Sequence, residues 1–265
     1  MMEMAQMAKV LVVTSGKGGV GKTTSTAALG AALAQSGQNV VVVDFDVGLR
    51  NLDLVNVIQG DAKLAQALIR DKRVDSLSLL PASQTRDKDA LTPEGVARVV
   101  AELREKFDWV ICDSPAGIER GATLAMRHAD LAVVVTNPEV SSVRDSDRII
   151  GLLDSKTELA ERGERMEKFL LLTRYDAARA ARGEMLRTED VLEILSIPLL
   201  GIIPESQEVL RASNIGSPVT LSSPDSPPGR AYFDAARRLR GEALPVAVPE
   251  EKRGIVHRLF GRRVA

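Results

Sequence analysis

The stretch Gly16-Lys17-Gly18-Gly19-Val20-Gly21-Lys22-Thr23 decides the fold. It satisfies the G-x-x-x-x-G-K-[ST] spacing of a phosphate-binding loop at every fixed position. Its surroundings suit that reading. Upstream, Val10-Leu11-Val12-Val13-Thr14 is a short β-branched apolar run that reads as a buried strand. Downstream, residues 23–35 are rich in Ala and Leu and read as a helix. A strand, a glycine loop and a helix in that order gather backbone N–H groups and a helix N-terminus around a polyphosphate. Lys22 is then the cation for the β- and γ-phosphates, and the Thr23 hydroxyl a ligand for Mg²⁺. Lys17 is a second cation inside the loop. It reaches the phosphates of its own subunit poorly, but is placed to reach a facing subunit's nucleotide, as an arginine finger does in trans.

Working outward, apolar runs recur at Val40–Asp44, Leu77–Leu80, Trp109–Asp113, Leu131–Thr136, Phe169–Thr173 and Leu199–Ile203. Helical patterns separate most of them, including Pro93–Lys106, Ser142–Leu159 and Met185–Leu195. This alternation predicts an α/β fold, an open and mostly parallel sheet with helices on both faces. Ser222–Gly229 reads as a loop from its Ser and Pro content, with a last helix over Tyr232–Arg240. The expected organisation is a lead-in at 1–8, one domain over 9–243, and a linker with a C-terminal amphipathic segment over 244–265.

Ligands of such sheets lie beyond the carboxyl ends of the strands. Polar residues gather there. Val110-Ile111-Cys112-Asp113 is an apolar run ending in an acid, the form of a Walker B strand that positions the Mg²⁺ shell. Gly117, four residues on, offers a backbone N–H as a γ-phosphate sensor. Asp44 and Asp46 share a face if their strand continues, by the period of two. Asp44 is a candidate for the Mg²⁺ shell, and Asp46 for orienting the attacking water.

The rest of the composition excludes more than it selects. With 265 residues, 45% hydrophobic and 27% charged, the chain suits one large globular domain. A net charge of −1 does not make the whole molecule an electrostatic nucleic-acid binder. The single cysteine, Cys112, leaves no internal disulfide, and a dimer would supply only two thiolates, too few for a shared four-iron cluster. No secretory signal pattern is expected at the N-terminus, and no run approaches the ~18 apolar residues of a membrane span. His128 and His257 belong to no motif.

The C-terminal segment is distinctive. On a helix, Ile255, Val256, Leu259 and Phe260 fall on one arc of about 140°, flanked or opposed by Lys252, Arg253, Arg258, Arg262 and Arg263. This is the pattern of an interfacial helix on anionic lipid.

Taken together, these motifs resemble the deviant Walker A ATPases of the MinD and ParA superfamily. The markers are Lys17–Thr24, Asp44-Phe45-Asp46 and Cys112-Asp113-Ser114-Pro115-Ala116-Gly117. Residues 46–53, 113–119 and 136–145, with Leu172-Thr173-Arg174-Tyr175, Ile203-Pro204-Glu205 and residues 209–214, are similar to the septum-site-determining branch. The resemblance spans roughly residues 8–261. It implies ATP and ADP with Mg²⁺ as cofactors, slow hydrolysis unless a partner activates it, and an ATP-dependent homodimer. It implies that Gly16, Lys17, Gly18, Gly19, Val20, Gly21, Lys22, Thr23 and Thr24 surround the phosphates, and that Lys17 crosses to the partner. Adenine contacts would come from Arg174, Asp176, Pro204 and Glu205, although the branch usually carries Asn where this chain has Asp176. Arg50 and Asn51 would lie in a switch region, and Asp145 and Asp147 on a partner surface. The expected partners are anionic membrane lipids, a MinC-like division inhibitor and a MinE-like activator, at the inner face of the cell membrane. The alternative is a ParA-type ATPase that binds DNA, which would have no use for an amphipathic tail.

Overall fold

The computed structural model describes residues 8–45, 54–82 and 91–249. Asp46, Arg50, Asn51 and the amphipathic tail with Ile255, Val256, Arg258, Leu259 and Phe260 lie outside the described residues. The elements run β1 (Lys9–Thr14), α1 (Lys22–Gln35), β2 (Val40–Asp44), α2 (Leu54–Gln59), α3 (Leu64–Ala67), β3 (Ile69–Arg70), β4 (Leu77–Leu80), α4 (Pro93–Arg104), β5 (Trp109–Asp113) and α5 (Arg120–Arg127). They continue β6 (Leu131–Thr136), α6 (Val140–Leu153), α7 (Glu158–Glu161), β7 (Glu167–Tyr175), α8 (Ala177–Ala181), α9 (Thr188–Leu195), β8 (Leu199–Pro204), α10 (Gln207–Asn214), α11 (Val219–Ser222) and α12 (Pro227–Leu239).

One sheet of eight strands has the order β3-β4-β2-β5-β1-β6-β7-β8. All its described pairings are parallel except β3 with β4. The all-apolar strands are explained by burial on both faces. Alternation along β1 divides the core: Val10 and Val12 join the layer beneath α4, α5, α6 and α9, whereas Leu11 and Val13 join the layer beneath α1 and α12. The sheet with helices on both faces is thus the one the sequence predicts. From β1 the chain crosses one way to β2, and from β5 it crosses the other way to β6. The loops after β1 and β5 therefore part at a topological switch point, the place where such sheets bind ligands.

The structure corrects several local expectations. The two-residue β3 carries no strand pattern and went unforeseen. The predicted helix over Ser142–Leu159 is two helices, because the buried Thr157 hydroxyl donates to the Leu153 carbonyl at 3.1 Å and accepts from the Ala160 N–H, starting α7 afresh. The Pro-rich loop ends earlier than its composition suggests. Pro227 and Pro228 open α12, with Ser226 accepting from the Gly229 N–H, since proline costs nothing in a first turn whose N–H groups have no helical partner. Ala8 belongs to the domain rather than to a lead-in: it is buried and its carbonyl accepts from Arg104 Nη1 at 2.8 Å.

At the other end, Arg238 on α12 fastens the segment after the last helix. Its guanidinium donates to the carbonyls of Leu200 on β8, Leu244 and Pro245 at 2.8, 2.9 and 2.6 Å. Burial pulls the Arg238 pKa below its ordinary value, yet all three acceptors are neutral carbonyls, so the bonds survive any ordinary pH. We predict that Arg238→Met lowers unfolding stability by about 2 kcal/mol or more and frees residues 244–249 to proteolysis, because three bonds from a charged donor are lost. Urea unfolding and timed protease digestion would read this.

Candidate functional site

The loop between β1 and α1 is shaped by close approach. A Cβ on Gly16 would lie 2.2 Å from the carbonyl carbon of Asp145 on α6, so only glycine lets the loop rest on that helix. Gly21 sits at φ +95, the left-handed conformation that turns the chain into the first helical N–H groups. Thr23 is an exposed residue, whereas Lys22 is buried, only 8% exposed.

Lys22 Nζ stands 3.5 Å from Asp113 Oδ1 at the end of β5. Asp113 is 2% exposed and accepts from the Thr26 hydroxyl at 3.1 Å. Sheet register sets Asp113 between Val13 on β1 and Asp44 on β2, so the two acids neighbour each other across adjacent strands. Burial pushes the Asp113 pKa above the usual carboxylate value; the Lys22 charge and hydrogen bonds from Thr23 and Thr26 oppose that rise. A buried ammonium, a hydroxyl and two adjacent carboxylates beside open glycine N–H groups fit Mg²⁺ with a polyphosphate.

Thr173 was not foreseen as a functional residue. Its hydroxyl is 2.6 Å from the Val20 carbonyl and 3.2 Å from that of Thr136, which ties the phosphate loop to β7 and β6. An irregular register between β7 and β8 at Leu172 to Tyr175 makes room, and Arg174 adopts φ +52 within it. A bulge is set by pairing across strands, so no local sequence signal marked it. Thr26, one helical turn after Lys22, was missed in the same way.

Beside the loop opens a cavity of about 460 Å³, lined by Val20, Gly21 and Thr24, by Thr173 and Arg174, by Pro204 and Glu205 and by Tyr232. Its size and position suit a nucleoside joined to the phosphate loop. Three of the four expected adenine-side residues line it. Asp176 does not: its Oδ1 accepts from the Ala178 and Arg179 N–H groups and caps α8, and the residue lines the next groove. Tyr232 closes the floor, its hydroxyl 2.9 Å from Ser25 Oγ, with burial pushing the phenol up to about 12.

Lys17 Nζ lies 3.2 Å from both Glu139 Oε2 and Ser141 Oγ, at the N-terminus of α6. A pair this exposed is worth about 0–1 kcal/mol, so little holds it there. The Gly117 N–H, the expected phosphate sensor, donates to the Ser15 carbonyl at 3.0 Å. Cys112 is buried and its thiol is pushed up to about 12, chiefly by burial. Among the described residues no group of three or more His, Cys, Asp or Glu forms a metal cluster.

The profile of the CobQ/CobB/MinD/ParA nucleotide binding domain matches residues 11–219. The septum site-determining protein MinD of Escherichia coli (strain K12) is 59% identical over 270 residues, covering 96% of this chain and 100% of that protein. The chain belongs to the MinD family. Among solved structures, the MinC:MinD cell division protein complex of Aquifex aeolicus is 40% identical with a TM-score of 0.79, covering 91% of this chain and 99% of that one. MinD complexed with Mg-ADP from Pyrococcus horikoshii OT3 is 30% identical with a TM-score of 0.75, covering 88% and 96%. As a MinD-family ATPase, the chain takes ATP or ADP with Mg²⁺.

Two predictions follow from this MinD-family site. Thr173→Val keeps the volume but leaves the Val20 carbonyl without its donor. We predict a loss of about 1–2 kcal/mol in stability together with weaker nucleotide binding, read by urea unfolding and titration calorimetry. The raised Asp113 pKa sets a sign. In the free protein Asp113 holds its proton to higher pH than in the unfolded chain, so its contribution to stability falls as pH rises from the ordinary Asp value through the folded one. Mg²⁺ needs the carboxylate, so Mg-nucleotide affinity should fall as pH drops through that raised value, with a proton released on binding. Calorimetry in buffers of different ionisation enthalpy would measure the release, and Asp113→Asn should remove it.

Proposed function

We propose that this chain is a dimerising, membrane-associated ATPase that helps place the division septum by recruiting an inhibitor of the MinC kind. The 59% identity to a septum site-determining protein, over 96% of the chain, carries this reading. The MinC:MinD complex among its relatives supports the choice of partner.

The site residues divide the work. The Gly16–Gly21 backbone and Lys22 hold the phosphates, which draws Lys22 away from Asp113. Thr23 and Asp113, with Asp44 behind, would hold the Mg²⁺ shell, partly through water, and the ion would supply charge neutralisation at the phosphates when bound. Asp46 orients the attacking water. Lys17 leaves Glu139 and completes the partner's site, so turnover waits for a dimer, and the intrinsic rate is low. Arg174, Pro204 and Glu205 receive the adenine end.

Among the described residues no helix is long and apolar enough to cross a membrane. Attachment instead falls to the tail, with Ile255, Val256, Leu259 and Phe260 in the lipid and Arg258 at the anionic headgroups. A single tail binds weakly, and two held in one dimer gain avidity. A MinE-like activator would then release the protein by triggering hydrolysis. DNA is not an expected ligand.

Co-sedimentation with anionic vesicles tests this reading. Binding in ATP but not in ADP, lost on deletion of residues 255–265 with nucleotide binding kept, is the expected result. ATP-dependent DNA binding without vesicle binding would point to the ParA type instead.

A further inference from the structure

Thr26 is buried on α1, and its hydroxyl reaches two residues of the phosphate site. Oγ1 lies 3.1 Å from Asp113 Oδ1 and 3.1 Å from the Lys22 carbonyl. A hydroxyl has one proton, so it donates to one of them at a time. The carbonyl has less need of it, because a regular turn of α1 already gives that carbonyl the Thr26 N–H. Bonding back to its own helix is an ordinary use of a buried threonine. It does not account for a carboxylate 87 residues away at the same distance. Lys22 Nζ, at 3.5 Å, faces the same oxygen, Oδ1. The carboxylate is thus held through Oδ1 by a cation and a hydroxyl together.

We propose that Thr26 is a positioning residue for Asp113, taking over Oδ1 when Lys22 turns to the phosphates. This rests on the assignment of Asp113 to the Mg²⁺ shell made above, and names the group that aims it. A polyphosphate in the loop draws the ammonium away, and the carboxylate, still buried, loses its cation. Thr26 is carried by the helix and stays beside it. Thr23 bonds the carboxylate as well, but its hydroxyl is the one that serves the ion. With the Thr26 hydroxyl donating to Oδ1, the carboxylate cannot turn about its last bond, and its other oxygen keeps one direction for the Mg²⁺ shell. Partners that orient a metal-binding carboxylate in this way set much of the affinity for the ion. Loss of the hydroxyl therefore weakens what Mg²⁺ adds to nucleotide binding and leaves the grip of the loop on the phosphates.

The test uses the full chain and two pairs of proteins that differ only in the hydroxyl. Wild type is compared with Thr26→Val, which keeps the shape, and Thr26→Ser with Thr26→Ala, which keeps the smaller volume. Calorimetric titration with ADP in EDTA gives the affinity without metal. Titrating Mg²⁺ into the ADP complex gives the concentration for half-maximal tightening. Within each pair, loss of the hydroxyl should raise that concentration about tenfold or more while the metal-free affinity changes by less than about twofold, with urea midpoints showing that every variant is folded. An unchanged Mg²⁺ requirement in either pair would overturn the proposal. Equal weakening with and without Mg²⁺ would also overturn it, because that is the mark of packing alone. Asp113→Asn separates the two assignments. If it needs no more Mg²⁺ than wild type, Asp113 is not in the shell and the role of Thr26 falls with it. If it needs more while the Thr26 pairs do not differ, Asp113 keeps its place and Thr26 loses its own.

Discussion

A lysine ammonium and an aspartate carboxylate, buried together 3.5 Å apart where two strands end, are the constraint around which the molecule is arranged. Removing two charges from water is costly, and their attraction repays this only with added hydrogen bonds and good geometry. The Thr26 hydroxyl supplies part of that support, and the parallel register of β1, β5 and β2 fixes the position of the carboxylate. The pair is better understood as a held charge than as a source of stability. Burial raises the carboxylate pKa, against the pull of the Lys22 charge, so holding the carboxylate ionised here costs free energy.

The remaining architecture keeps that pair in place. Phosphate loops are glycine-rich and intrinsically loose, and this one is tied on two sides. Gly16 rests against the backbone of α6, and the Val20 carbonyl is held by Thr173 at the bulged end of β7. The loop, the segment around Gly117 and the cavity beside the loop thus belong to different strands but share hydrogen bonds, among them that from the Gly117 N–H to Ser15. Displacing one of them disturbs the others. By contrast, the contact of Lys17 with Glu139 is solvated and readily exchanged.

Much of this could be read from the chain because the signals were short in range. The bounds of β2, β4, β5 and β6 coincide with their apolar runs, since strands buried on both faces leave little else for such residues to be. The phosphate loop, Asp44 and Asp113 converge because motif and topology demand it. What escaped depends on contacts across the fold. Thr157 ends one helix and begins another by two hydrogen bonds no periodicity reveals. Thr173 and Thr26 act through partners 153 and 87 residues away. Asp176 shows the reverse: a motif position suggested base recognition, while local geometry commits one of its oxygens to capping a helix.

The lone cysteine has a practical consequence. Cys112 lies in the central strand β5, and with its thiol near 12 the thiolate fraction at neutral pH is on the order of one in 10⁵. Reagents and oxidants that need a thiolate will pass it by while the sheet is intact. The native protein is therefore chemically silent towards maleimides and iodoacetamide, and a cysteine placed anywhere on its surface becomes a unique attachment point without any background to remove. Exposure of Cys112 itself, in turn, reports that the central sheet has opened.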